Sequence, residues 1–155
     1  MYHASMSLSA GFLDELDEVL LDVRHLFRTP EFRRLLLESI AGNVELSTLR
    51  LLRAVERFDG LPSVGDVALS LGVDPSTASR LVDHTVRNGL LVRSRCSEDA
   101  RRIRLQVTSS GGRVLAEATR ARRELLTRVT SEWSTSDLAE LTRLLGTLRD
   151  GFDRL

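Results

Sequence analysis

Lysine is absent from this 155-residue chain, so all 22 of its basic residues are arginine. That points to genome composition before it points to function. The single cysteine, Cys96, excludes an internal disulfide and suits a reducing compartment. The three histidines, His3, His25 and His84, are widely separated and accompany no cysteine pair at ligand spacing, which argues against a structural metal site. Long apolar runs are missing too: nothing approaches the ~18 apolar residues of a membrane span. The opening MYHASMSLSAGFL has neither a basic start nor an apolar stretch long enough for a signal peptide. A phosphate-cradling glycine loop and a nucleophile motif are also lacking. The expectation is a cytoplasmic, non-enzymatic protein with no cofactor and no membrane partner.

Net charge is zero, which would ordinarily count against a nucleic-acid partner, but the distribution is uneven. Residues 1–28 carry five acids (Asp14, Glu15, Asp17, Glu18 and Asp22) against Arg24 and Arg28. Residues 80–104 carry seven arginines against Asp83, Glu98 and Asp99. The basic charge is concentrated in the middle of the chain.

That middle, Ser63 to Thr108, is the most informative stretch. Ser63 with Asp66 predicts an N-cap, and Val64, Val67, Ala68 and Leu71 recur at helical spacing until Gly72 stops the helix. Asp74 is a second N-cap, with Pro75 at the first helical position, so a new helix starts three residues later. Val73, Ala78, Leu81 and Val82 are expected to seat it on the first. Ser76, Thr77, Ser79, Arg80, Thr85 and Arg87 are then left facing outward. Short hydroxyls and arginine on such a helix match base edges and phosphates in a major groove. His84, one turn after Arg80, is either a phosphate contact or a plain surface residue. Asn88-Gly89 ends the helix. Leu90, Val92, Ile103, Leu105 and Val107 then alternate with Arg93, Arg102, Arg104 and Gln106, the period of two strands. The loop Arg95 to Arg101 has arginine at both ends, placed to enter an adjacent minor groove. Arg93, Arg102 and Arg104 can equally be a solvated strand face.

The run VALSLGVDPSTASRLVDHTVRNGLLVR, followed by EDARRIRLQVTSSG, resembles the MarR-type (multiple antibiotic resistance regulator) winged-helix repressors, specifically over residues 47–112 and only in architecture outside them. The resemblance implies a wing motif Asp-x-Arg, here Asp99-Ala100-Arg101, in which the arginine reaches the minor groove and Asp99 orients it. The second arginine usual between those two is replaced by Ala100, with Arg102 following. It also implies small, often aromatic or anionic effectors.

Outside the middle, Leu13, Leu16, Leu20, Val23 and Phe27 form a narrow apolar seam on a helix expected from about Ala10 to Arg28. Pro30 starts a second helix (Phe32, Leu35, Leu36, Ile40), ended by Gly42-Asn43. Ser47 is expected to cap a third, whose Leu49, Leu52, Val55 and Phe58 form a floor before Gly60-Leu61-Pro62 breaks it. After Ser109-Ser110-Gly111-Gly112 comes a helix ending by Trp133. Ser134 or Ser136 then caps a last helix with the seam Leu138, Leu141, Leu145, Leu148, Phe152 and Leu155. Two terminal seams flanking a compact reader predict a homodimer.

The expected fold is mainly α with a small β-hairpin wing (α+β). It divides into N-terminal dimerisation helices (1–44), a winged helix-turn-helix (45–108) and C-terminal dimerisation helices (109–155). The expected partner is double-stranded DNA, read by Ser76, Thr77, Ser79, Arg80, His84, Arg87, Arg95, Asp99, Arg101 and Arg102. Arg24, His25 and Arg28 with Phe27, Phe32 and Trp133 are candidates for an effector pocket, although the same residues can simply pack a junction, with His25 as a partly buried helix histidine. From another functional class, a winged-helix protein-interaction or architectural module satisfies the same pattern.

Overall fold

The computed structural model describes residues 2–38, 40, 44–95 and 103–155; of residues 2–9 and 95 it describes the backbone only. Among the described residues, seven helices and one hairpin follow in the order α1 (Tyr2–Leu26), α2 (Pro30–Glu38), α3 (Leu46–Arg57), α4 (Val64–Leu71), α5 (Pro75–Arg87), β1 (Leu91–Arg95), β2 (Ile103–Val107), α6 (Ser109–Val129) and α7 (Thr135–Phe152). The chain divides into two compact units, residues 1–118 and 119–155. No described helix is long and apolar enough to cross a membrane.

The first unit holds the core. Leu49, Leu51, Leu52 and Val55 of α3 are buried with Val67 and Ala68 of α4, Ala78 and Val82 of α5, and Leu91 and Leu105 of the two strands. Phe58 lies beyond the end of α3 and is 39% exposed, so the buried floor consists of the leucines and Val55 without it. The cap of α3 also differs from expectation. Glu45 is the N-cap residue and makes no side-chain capping bond, while Ser47 Oγ donates to Glu45 Oε2 at 3.0 Å. The expected stop of α2 at Gly42-Asn43 lies outside the described residues.

Local chemistry sets the helix-turn-helix. Ser63 and Asp66 form a reciprocal capping box at the start of α4, in which Asp66 N donates to Ser63 Oγ at 3.2 Å and Ser63 N donates to Asp66 Oδ2 at 2.8 Å. Gly72 ends the helix in the left-handed conformation (φ 64°), which glycine adopts without steric cost, and α5 starts three residues on. Val64, Leu71, Val73 and Leu81 are half-buried around this turn.

The strands pair antiparallel in the register Leu91↔Val107, Arg93↔Leu105 and Arg95↔Ile103. The expected alternation in β1 is off by one residue: Leu91 is 1% exposed, and Val92, expected inside, is 43% exposed. The turn through Gly89 (φ 69°) and Leu90 uses one more residue than the alternation allowed. On the far edge of β2, Leu105 N donates to the carbonyl of buried Pro62 at 2.8 Å.

The first helix begins eight residues earlier than expected, at Tyr2, and ends at Leu26 rather than Arg28. Its seam residues Leu13, Leu16, Val23 and Phe27 are all exposed in the single chain. In the second unit α6 ends at Val129, short of Trp133. Ser134, not Ser136, caps α7 in a second capping box, with Asp137. Its seam residues Leu138, Leu141, Leu145, Phe152 and Leu155 are exposed as well.

Candidate nucleic-acid interface

The outward face of α5 is built by what its opposite face buries. Ala78, Val82 and Thr85 are buried, which leaves Ser76, Arg80, His84 and Arg87 exposed and Thr77 and Ser79 half-buried beside them. Thr85 corrects an expectation. It was placed among the outward hydroxyls, but it is fully buried and its Oγ1 donates to the Leu81 carbonyl at 2.7 Å. A threonine three residues after Val82 and seven after Ala78 shares their face, and the bond to the preceding turn satisfies its hydroxyl there.

The hydroxyls at the start of α5 are already engaged. Asp74 receives Ser76 Oγ on Oδ1 at 2.5 Å, Thr77 Oγ1 on Oδ2 at 2.6 Å and Thr77 N on Oδ1 at 2.9 Å. The Ser76 hydroxyl, followed by the Thr77 hydroxyl and amide, holds the Asp74 carboxyl well below the usual carboxylate range. Both protons are thereby committed, so Ser76 and Thr77 face outward as acceptors. Base amino groups suit that state better than phosphates do.

Arg80 rests lightly on its own helix, with Nε and Nη2 each 3.4 Å from Ser76 O and Ser76 Oγ. Bonds that long are weak, so a stronger acceptor can claim the guanidinium. Arg87 lies similarly, with Nε 3.4 Å from Asp83 O. His84 Nε2 and Asn88 Nδ2 are 3.0 Å apart, which holds the ring one turn beyond Arg80.

Two arginines for which the sequence left a solvated strand face as one alternative are paired to the helices. Arg93 Nη1 of β1 meets Asp83 Oδ1 of α5 at 2.7 Å, and Arg104 Nη1 of β2 lies 3.6 Å from Asp66 Oδ2 of α4. Asp66 is held below its ordinary value chiefly by the Ser63 amide and hydroxyl, with a smaller contribution from Arg104. Asp83 and Asp66 were the residues to notice: each is an acid on a helix facing a basic hairpin. Of the remaining predicted DNA contacts, Arg95 is placed by its backbone at the end of β1, while Asp99, Arg101 and Arg102 lie outside the described residues, as does Cys96.

The effector candidates divide. Arg24 and His25 sit in the last turn of α1, Phe27 and Arg28 in the connecting turn, and Phe32 in α2. Thr29 shapes that turn, donating from Oγ1 to Leu26 O at 2.9 Å and receiving Phe32 N at 3.2 Å. Phe27 and Phe32 meet edge to face with ring centroids 5.0 Å apart. His25 is exposed, not partly buried as expected. Trp133 belongs to the second unit. No group of three potential metal ligands occurs among the described residues.

Residues 43–102 match the model of the MarR family. No curated protein matches the chain. Among solved structures, it resembles a MarR family protein from Bacillus stearothermophilus at 22% identity and a TM-score of 0.80, over 93% of this chain and 97% of that one. It also resembles the PcaV transcriptional regulator from Streptomyces coelicolor, solved in complex with its natural ligand (21% identity, TM-score 0.56, 83% and 89% of the two chains). A third likeness is to a mutant of MepR from S. aureus bound to an oligodeoxyribonucleotide (17% identity, TM-score 0.61, 88% and 97%). At these identities the shared property is the fold, a helical chain carrying a winged helix-turn-helix.

Proposed function

From the premise that residues 43–102 are a MarR-family winged helix-turn-helix, we propose that the chain is a sequence-specific DNA-binding transcriptional regulator. In this reading it acts as a cytoplasmic homodimer on a pseudo-palindromic operator, represses from it, and is released by a small aromatic or anionic effector. The observation that carries the reading is the outward face of α5. Ser76, Arg80, His84 and Arg87 stand on a helix capped at its start and seated by Ala78, Val82 and Thr85, next to a hairpin rich in arginine. The MepR mutant was solved on an oligodeoxyribonucleotide, and a recognition helix on the same fold supports the same use here.

The dimer is supported by the exposed seams. Leu13, Leu16 and Val23 on α1 and Leu138, Leu141 and Leu145 on α7 are too many aligned apolar side chains for a stable soluble surface, so residues 1–44 and 109–155 are read as the dimerisation parts around the DNA reader, 45–108. Half-sites then lie about one helical turn apart. In this reading the effector meets the α1–α2 turn, where Arg24, His25 and Arg28 supply polar groups beside the Phe27–Phe32 pair. PcaV was solved with a ligand, which supports an effector on this fold.

The deciding experiment selects bound genomic fragments with the purified chain and titrates the selected duplex against competitor DNA. A regulator binds its site by ~10³ or more over competitor. Equal binding to both leaves the alternative, an architectural or protein-interaction winged helix without operator specificity.

A further inference from the structure

We propose that Asp83, held by Arg93, is a specificity-determining residue of the recognition helix: its carboxylate accepts a hydrogen bond from a base amino group in the major groove, cytosine N4 foremost, and repels DNA that offers none there. The proposal rests on the reading of α5 as a DNA-recognition helix and adds a named reader to it.

Position comes first. At 3.6 residues per turn, Asp83 lies within about 60° of Ser76, Arg80 and Arg87 around the helix axis. It lies on the flank of the outward face, about 100° from buried Val82 and farther from Ala78 and Thr85, and its side chain is about half exposed. A carboxylate beside the face that approaches a polyanion is unfavourable unless something on the DNA rewards it.

Its partners are the second point. Asp66 and Asp74 are acids with local duties, each accepting backbone N–H groups at a helix start. Asp83 lies in the ninth position of α5, where no free backbone N–H exists for it to cap. The one partner of its carboxylate among the described residues is Arg93, through Oδ1 at 2.7 Å, which fixes the carboxylate and leaves Oδ2 to accept from outside.

The chemistry then selects the base. In the major groove cytosine offers its N4 amino group and adenine its N6 amino group, whereas guanine and thymine present oxygen acceptors. An acceptor-only carboxylate pairs with the first two and is repelled by the others. The neighbouring Ser76 and Thr77 oxygens, with their protons committed to Asp74, have the same polarity.

The test compares wild type, Asp83→Asn and Arg93→Gln on three kinds of duplex: the site selected by the wild-type chain, its single-base-pair variants, and a non-specific sequence, each at two salt concentrations. Asp83→Asn is expected to bind the non-specific duplex several-fold more tightly. Its salt slope should steepen by about 0.9 as Arg93 is released to a phosphate. It should also lose about tenfold of discrimination at one C·G or A·T position. Arg93→Gln bares the carboxylate and frees it to turn, so its non-specific affinity moves the opposite way while the preference for the same base is reduced but keeps its sign. A mere brace predicts that both variants weaken all duplexes together, and that result overturns the proposal, as does an unchanged base profile in Asp83→Asn. Failure of the wild-type chain to select any site is a separate outcome: it overturns the regulator reading itself and this proposal with it.

Discussion

The hydroxyl of Thr108 donates to the carbonyl of Gly89 at 2.7 Å and accepts the amide of Gly111 at 3.0 Å, so one side chain joins the exit of the recognition helix to the start of α6. Its own amide adds a bond to Leu90 O at 3.1 Å. Thr108→Val keeps the shape and removes both hydroxyl bonds. The expected loss is about 1–2 kcal/mol, typical of a removed N-cap, with Thr108→Ser losing much less. Urea unfolding checks it: the midpoint falls and the slope is unchanged.

Two adjacent glycines in α6 are expected to respond oppositely to alanine. A Cβ on Gly111 would stand 2.3 Å from Leu90 O and 2.8 Å from Val107 Cγ1, and the first of these is backbone that cannot swing aside. Gly111→Ala should cost about 1–3 kcal/mol or more. Gly112 has nothing within 4 Å of a Cβ, so Gly112→Ala should gain up to about 1 kcal/mol of helix propensity. Thermal melts of the two variants side by side decide it.

For DNA reading, Arg80→Ala should weaken binding to the selected site by about 1–3 kcal/mol and relax preference at the base pair it contacts. Arg101→Ala should act mainly where the flanking minor groove is narrow and A·T-rich. Fluorescence anisotropy on labelled duplexes measures both, and unchanged affinity in the pair removes them from the interface.

Assembly is tested on α7. Replacing Leu141 and Leu145 with glutamate places charge on a seam whose leucines are worth about 1.5–3 kcal/mol each when fully buried. Sedimentation is then expected to give a monomer for the variant and a dimer for the wild-type chain. A stable dimer in the double variant would move the interface elsewhere.

Acid should loosen the helix starts. Asp66, Asp74 and Asp137 all have carboxyls lowered from the ordinary value of 3.8 by capping bonds, from Ser63, from Ser76 and Thr77, and from Ser134 respectively. A carboxyl lowered on folding stabilises above its unfolded value, and that contribution is lost as pH falls through the folded one. Stability should therefore hold down to about pH 4 and decline below it. Asp66→Asn with Asp137→Asn should flatten that decline, read as the urea midpoint against pH.

What the sequence discloses here depends on the range of the interaction. The Ser63–Asp66 and Asp74–Pro75 starts were legible because capping operates within one turn, whereas two serines competed to cap α7 and the bonds with Asp137 select Ser134. The burial of Thr85 was legible in principle: its spacing from Ala78 and Val82 outweighs its hydroxyl, since Leu81 O can satisfy that group. Leu91 was misplaced because β1 is five residues long and a single extra turn residue inverts an alternation that short. The pairs Arg93–Asp83 and Arg104–Asp66 join residues 10 and 38 positions apart, and no local rule selects those partners among seven neighbouring arginines. The Phe27–Phe32 contact was half visible, as two aromatics flanking Pro30, but its edge-to-face geometry depends on the Thr29 turn.

The bond from Leu105 N to the Pro62 carbonyl bears on how the protein behaves at high concentration. A two-stranded hairpin offers a row of unpaired backbone groups on each side, which is how one chain recruits a strand from the next. Along β2 that row is met by a segment ending in proline, a residue that accepts through its carbonyl and has no N–H to pass on. On this side the ladder closes on a residue that cannot extend it, and the wing is protected there against growing into an intermolecular sheet.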